Sequence, residues 1–189
     1  METNILSSEN ELRQRDFSYH ALPHINSLYR FALYMSGNES DAQDLVQDTY
    51  LRAYRFFDKF EKGTDCKAWL FTILRNTYIN KCRRERRSPI TLSITDMEER
   101  GMELSDRFHS EDEITGDMFG DEVYEAVAGM PDIYRTVVLL ADVEELSYKD
   151  IASVIGHPIG TVMSRLYRGR RILRQRLMSH AAQCGYAIA

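Results

Sequence analysis

Three sets of side chains in this 189-residue chain have the types and spacing for binding chemistry. From Met163 to Met178 there are six arginines and no acids, a local charge of +6. If that stretch is helical, Met163, Ser164, Tyr167, Arg168 and Arg171 fall on one side, opposite an apolar stripe of Ile159, Val162, Leu166, Leu173 and Leu177. A guanidinium forks onto guanine O6 and N7, so such a face fits a DNA major groove. Upstream, Thr72, Asn76, Asn80 and Arg83 recur at steps of three and four. Asparagine is a poor helix former whose amide both donates and accepts, so two of them on a basic helix suit hydrogen bonding to bases. In the third set, Asp41, Asp44, Gln47, Asp48, Arg52 and Arg55, acids precede bases along one helical face, ready for a complementary helix. Taken singly, each set could also be an ordinary solvated surface.

The arginine face needs a helix-turn-helix over 148–167 to position it. Ser147 and Asp150 form an S-x-x-D capping box for the first helix. Small Ala152 allows close helix crossing, and Gly156 supplies the positive φ of the turn. Pro158 suits the first turn of the second helix, where a missing N–H costs nothing. Gly160, Thr161 and Arg165, near the head of that helix, complete the expected duplex-DNA surface.

The overall charge of −5 hides two basic islands. Lys67 to Arg87 holds seven bases against Glu85, a charge of +6, whereas Pro89 to Glu122 holds eleven acids and two bases, a charge of −9. Nucleic-acid contact is a property of the islands, not of the total. The longest apolar run, Val137 to Ala141, is too short to cross a membrane, and the polar start lacks a signal-peptide pattern. A cytoplasmic protein without membrane insertion is expected. Cys66, Cys82 and Cys184 are odd in number and lack C-x-x-C spacing, so neither a disulfide framework nor a bound metal or cofactor is expected. The phosphate-binding, dinucleotide-binding and zinc-protease motifs are missing, which points away from an enzyme.

In chain order, residues 1–16 read as a disordered start. Ile25, Leu28, Ala32 and Met35 keep helical spacing, Pro23 marks a break, and Gly37 closes the helix. Asn38 or Ser40 caps the next, which buries Ala42, Leu45, Val46, Thr49, Ala53 and Phe56. After the punctuated stretch FDKFEKGTD, a helix from about Asp65 to Arg87 turns Cys66, Trp69, Leu70, Ile73, Leu74 and Thr77 inward. Acidic, aperiodic 89–117 reads as a flexible linker, after which Val123, Val127 and Met130 resume helical spacing and Pro131-Asp132 starts another helix. The fold class is all-α, with two small helical domains at 17–88 and 118–180.

Three blocks in order, DAQDLVQDTYLRAYRFF, FEKGTDCKAWLFTILRNTYIN and the helix-turn-helix, resemble the extracytoplasmic-function branch of the sigma-70-type initiation factors. The resemblance implies that 41–57 docks on the clamp helices of core RNA polymerase through Asp41, Asp44, Leu45, Gln47, Asp48, Arg52 and Arg55, with the polymerase flap as a further contact. It implies that Phe60, Lys62, Gly63, Thr64, Asp65, Trp69, Asn76, Asn80, Arg83 and Arg84 take the promoter −10 element as single-stranded DNA. The helix-turn-helix would read the −35 element as duplex. Two departures bear on the promoter sequence: Met163 stands where some members have Arg, and Glu61-Lys62 replaces a more usual basic-glycine pair. The phrases LADVEELSYKDIA and HPIGTVMSRLYRGRR are most similar to the subgroup that answers thiol-oxidative stress under a zinc-binding anti-sigma protein. The competing readings are an autonomous helix-turn-helix regulator and an adaptor that uses the motif as scaffold.

Overall fold

The computed structural model describes residues 2–87 and 121–183, with side chains over 10–84 and 122–178. Its helices are α1 (Glu2–Ala21), α2 (Ile25–Ser36), α3 (Glu39–Arg55), α4 (Cys66–Arg87), α5 (Asp121–Ala128), α6 (Asp132–Val138), α7 (Tyr148–Ile155) and α8 (Ile159–Gln183). A π-helical turn, Leu139–Val143, extends α6, and short 3-10 turns occupy Leu22–His24 and Phe57–Lys59. No strand occurs among the described residues, and the all-α expectation holds. The acidic stretch at 89–117 lies outside the described residues, as do Cys184 and the start of the second expected domain, 118–120.

The punctuation works as its chemistry requires. Gly37 ends α2 at φ 80 and Gly156 ends α7 at φ 67, both left-handed positions where a Cβ would be strained. Of the two candidate caps for α3 it is Asn38 that acts: its Oδ1 accepts from the Asp41 N–H at 2.8 Å while its amide donates to the Asp41 carboxylate. Ser147 caps α7 by accepting from the Asp150 N–H at 3.2 Å. Pro158 stands one place before α8, where its carbonyl accepts from the N–H groups of Thr161 and Val162.

In the N-terminal half Leu28, Phe31, Leu45, Leu70, Phe71 and Leu74 are buried, with the Phe31 and Phe71 rings edge to face at 5.1 Å. Each such side chain contributes about 1.5–3 kcal/mol relative to exposure. The hydroxyls buried among them are satisfied within their own helices, Thr49 donating to the Leu45 carbonyl at 2.6 Å and Thr77 to the Ile73 carbonyl at 2.9 Å. Leu140, Leu146, Ile151 and Val154 of the C-terminal half belong to the same continuous core. The first helix of the helix-turn-helix therefore packs on α4.

Several expectations are corrected. Residues 2–16, read as a disordered start, lie within helix α1; the helix is held by packing and side-chain bonds near its end that its polar composition does not announce. Phe56 is exposed and Phe57 takes its place in the core, because α3 ends at Arg55 and the 3-10 turn that follows rotates the next side chain inward. Ile25 and Ile159, each at the first position of its helix, are exposed rather than part of the buried stripe.

Candidate nucleic-acid interface

The segment 57–65 turns the chain from α3 into α4. Gly63 has φ 97, and the Thr64 hydroxyl donates to the Glu61 carbonyl at 2.7 Å, closing the turn locally. Asp65 accepts from the Ala68 N–H at 3.2 Å, so its carboxylate caps α4 and helps the positive helix start. Glu61, Lys62, Gly63 and Thr64 are exposed. Phe60 is not: it is 7% accessible, stacked on Phe57 at 5.8 Å and against Trp69 at 5.2 Å. A base therefore cannot stack on Phe60, which serves as a pillar under the turn, whereas half-buried Trp69 keeps part of its ring open.

Along α4 the predicted polar face is real. Asn76, Asn80, Arg83 and Arg84 are exposed while Leu70, Leu74 and Thr77 build the core. Asn76 and Asn80 lie one turn apart on this face, spaced for successive contacts along an extended strand.

On α3, Asp44, Gln47, Asp48 and Arg55 are exposed, and Arg52 is half-buried. Leu45, assigned to the polymerase contact by the resemblance, is 2% accessible and lies in the core with Ala42, Val46 and Thr49, as the apolar spacing of α3 requires, so it offers no surface to a partner. Asp41 is engaged at home, pairing with Lys81 of α4 and with its cap Asn38.

On α8, Gly160, Met163, Ser164, Tyr167, Arg168 and Arg171 are exposed, and Thr161 and Arg165 are half-buried. Met163 is 54% and Tyr167 70% accessible, large apolar surface on a helix whose other side, Val162 and Leu166, is fully packed. An exposed apolar side chain on a groove-entering helix can meet a thymine methyl. Arg170 is held within the fold instead. It forks onto Asp142, with Nε at 3.1 Å and Nη2 at 2.5 Å, and ties α8 to the π-helical turn. That hydrogen bond, above all, raises the guanidinium's already high pKa. Gly169 lets α8 approach α6, since a Cβ there would stand 2.7 Å from a Val138 methyl carbon.

Sequence reasoning missed two features that flank these surfaces. Arg13 and Asp16 of α1 bond to the 54–62 segment, and Lys67 at the head of α4 pairs with buried Glu144. Both are contacts between distant positions, for which helical spacing gives no signal. Among the described residues no group of three or more possible metal ligands is found, and no helix is long and apolar enough to cross a membrane.

Comparison with known proteins matches these elements in the same order. Residues 22–88 match the family described as Sigma-70 region 2, and residues 120–173 match Sigma-70, region 4. The ECF RNA polymerase sigma factor EcfG of Rhodopseudomonas palustris is 33% identical over 84% of this chain and 83% of its own length. SigW of Bacillus subtilis is 29% identical over 80% and 83%, and SigE of Mycolicibacterium smegmatis 33% identical over 85% of this chain but 61% of its own length. The sigma factor RpoE of Bartonella quintana, solved in complex with the anti-sigma factor NepR, shares the fold at a TM-score of 0.71 with 30% identity, covering 87% of this chain and 98% of that one. With both regions present in order, the chain belongs to the extracytoplasmic-function sigma factors of the sigma-70 family, which bind RNA polymerase and direct it to promoters.

Proposed function

We propose that this sigma factor divides promoter recognition among three surfaces and acts by binding, in the cytoplasm, without catalysis or cofactor. Asp44, Gln47, Asp48 and Arg55 of α3 dock on the clamp helices of the polymerase largest subunit, Asp44 and Asp48 meeting arginines there. The 61–64 turn with Trp69, Asn76, Asn80, Arg83 and Arg84 takes the −10 element as single strand. The exposed face of α8 reads the −35 element as duplex, its domain resting on the polymerase flap. The working units are 17–88 and 118–180, with 89–117 spanning between them.

One observation carries the reading: in α3, α4 and α8 alike, the polar or basic residues assigned to partners face solvent while the opposite side of the same helix is built into the core. Taking a base out of the stack costs a few kcal/mol, which stacking and hydrogen bonds to its Watson–Crick edge return. Asparagine amides on a basic helix supply the second of these, and the half-open Trp69 ring supplies the first.

An anti-sigma protein holds the factor inactive, as the NepR complex of the Bartonella quintana relative supports. The phrases at 140–152 and 157–171 support the finer placement in the thiol-oxidative-stress subgroup, whose anti-sigma protein binds zinc. Cys66 is buried, and burial first, with Asp65 beside it, pushes its thiol up to about 11, away from the reactive thiolate.

Transcription with purified core polymerase and mapped start sites tests the assignment. Asp48→Arg should abolish core binding and initiation with the thermal melt unchanged. Tight duplex binding without core, and no initiation with it, would favour an autonomous regulator instead.

A further inference from the structure

Helix α1 precedes the region 2 match, which starts at residue 22, and none of the three surfaces uses it. Its last turns are nonetheless fastened to the segment that precedes and forms the promoter-reading turn. Arg13 donates to the carbonyls of Tyr54 at 2.8 Å and Arg55 at 3.4 Å, pairs with Asp58 at 3.1 Å, and stands over the Tyr54 ring at 5.1 Å. In this way it satisfies carbonyls left open at the end of α3. Phe17 meets the rings of Tyr54 and Phe57 edge-on, each at 5.2 Å. Asp16 holds Lys62 at 2.6 Å and also lies 3.4 Å from His20; the Lys62 hydrogen bond, first among the causes, lowers its pKa below the usual carboxylate value.

Between α1 and this segment lies a cleft of about 830 Å³, walled by Asn10, Arg13 and Arg15 on one side and Asp58, Phe60 and Lys62 on the other. That volume is ample for a nucleotide. Its charges are matched in pairs, Arg13 with Asp58 and Lys62 with Asp16, save one: exposed Arg15 has no acidic partner among the described residues. A strap that only held the turn in place would need Arg13, Asp16 and Phe17 but neither Arg15 nor the exposed Asn10 amide beside it.

We propose that this cleft takes a nucleotide of the unpaired promoter strand, with Arg15 on its phosphate and Asn10 at its base, and that Asp16 is a positioning residue that sets Lys62 in the reading turn. The inference rests on the single-strand reading of the −10 element given above and extends it to a helix outside the region 2 match. Arg15 is a binding residue here and Asp16 acts only through Lys62.

The test uses reconstituted holoenzyme and a fluorescent single-stranded oligonucleotide carrying the −10 element and the nucleotides flanking it. Arg15→Ala should weaken binding roughly tenfold, the loss of one charge-assisted phosphate contact. It should also flatten the slope of log K against log salt by about 0.7, one phosphate's worth on a single strand. Asp16→Asn should reduce discrimination between matched and mismatched −10 bases, and Asp16→Glu, which keeps a carboxylate for Lys62, should retain it. Affinity for core polymerase and the thermal melt should stay at wild-type values for Arg15→Ala. Unchanged affinity and salt slope in Arg15→Ala would overturn the inference. Asn80→Ala in the same assay then tells which level failed: if Asn80→Ala loses affinity, only the cleft is wrong, and if it too binds normally, the single-strand reading falls with it.

Discussion

Lys67 and Glu144, 77 positions apart, are joined twice: the ammonium donates to the Glu144 backbone carbonyl at 2.8 Å and to its carboxylate at 2.8 Å. Arg30 stands behind at 4.0 Å, and the Glu144 side chain is 2% accessible. The pair fastens the head of α4 to the turn that leads into the helix-turn-helix. Two promoter elements about two and a half turns of duplex apart lie roughly 85 Å from one another, a span that α4 and α7 in direct contact cannot bridge. On the proposed division of promoter contacts, the joint opens when polymerase places both halves on DNA.

Lys67→Ala leaves the Glu144 carboxylate buried with Arg30 alone, at a cost of about 2 kcal/mol to the contact between the halves. In small-angle scattering the isolated wild-type chain should be compact and the variant measurably larger, with exchange protection lost first along α4 and α7. A wild-type chain that already holds its halves some 80 Å apart in isolation would contradict this.

Asn80 is exposed on α4 and carries no part of the core. Asn80→Ala should therefore leave stability within about 0.5 kcal/mol of wild type while slowing promoter opening more than it weakens the closed complex. Permanganate footprinting of the unpaired strand separates the two steps, and equal loss in both would count against base capture.

Arg170 is committed to Asp142, so the proposed duplex contact is assigned to the remaining arginines of α8. If about five phosphates are neutralised, log K for a −35 duplex should fall against log salt with a slope near −4.5, and Arg171→Ala should flatten it by about 0.9. Arg170→Ala should instead lower thermal stability with the slope held. Charge reversal at Arg168 and Arg171 together should abolish −35-dependent transcription; full activity in that variant would favour an adaptor.

The folded-state pKa of Cys66 is raised to about 11 from 9.0, chiefly by burial. A group whose folded pKa lies above its unfolded value favours folding fully below the unfolded pKa and loses that contribution as pH climbs toward the folded one. Stability should thus decline between pH about 9 and 11, by an amount on the order of 2 kcal/mol from this thiol. Urea titrations at pH 7.5 and 10.5 should show a smaller difference for Cys66→Ala than for wild type. At neutral pH half-buried Cys82 should react with a thiol reagent well before Cys66 does.

Local periodicity and capping chemistry made most of the architecture readable from residue order alone. Asn38, Gly37, Ser147 and Gly156 mark helix ends by interactions within four residues, and these stand where their types required. The exposed faces of α3, α4 and α8 were legible for the same reason, since a helix that buries one stripe must show the other. Burial at helix ends was not: Phe56 and Phe57 exchange roles because the 3-10 turn changes the angular step between them, and Ile25 and Ile159, first in their helices, stand outside the stripes they were counted in.

Contacts across long separations were decided only by the tertiary structure. Polar α1 reads as a frayed start until Arg13 and Asp16 find the 54–62 segment, and a carboxylate such as Glu144 reads as solvated until Lys67 and Arg30 surround it. An ion pair between residues 77 apart leaves no periodic trace in the chain; its energy depends on the distance and burial that packing creates. The sequence by itself determined the helices from α2 onward, their caps and which of their sides face solvent. The tertiary structure decided which charges are spent holding those faces together and which are left for partners.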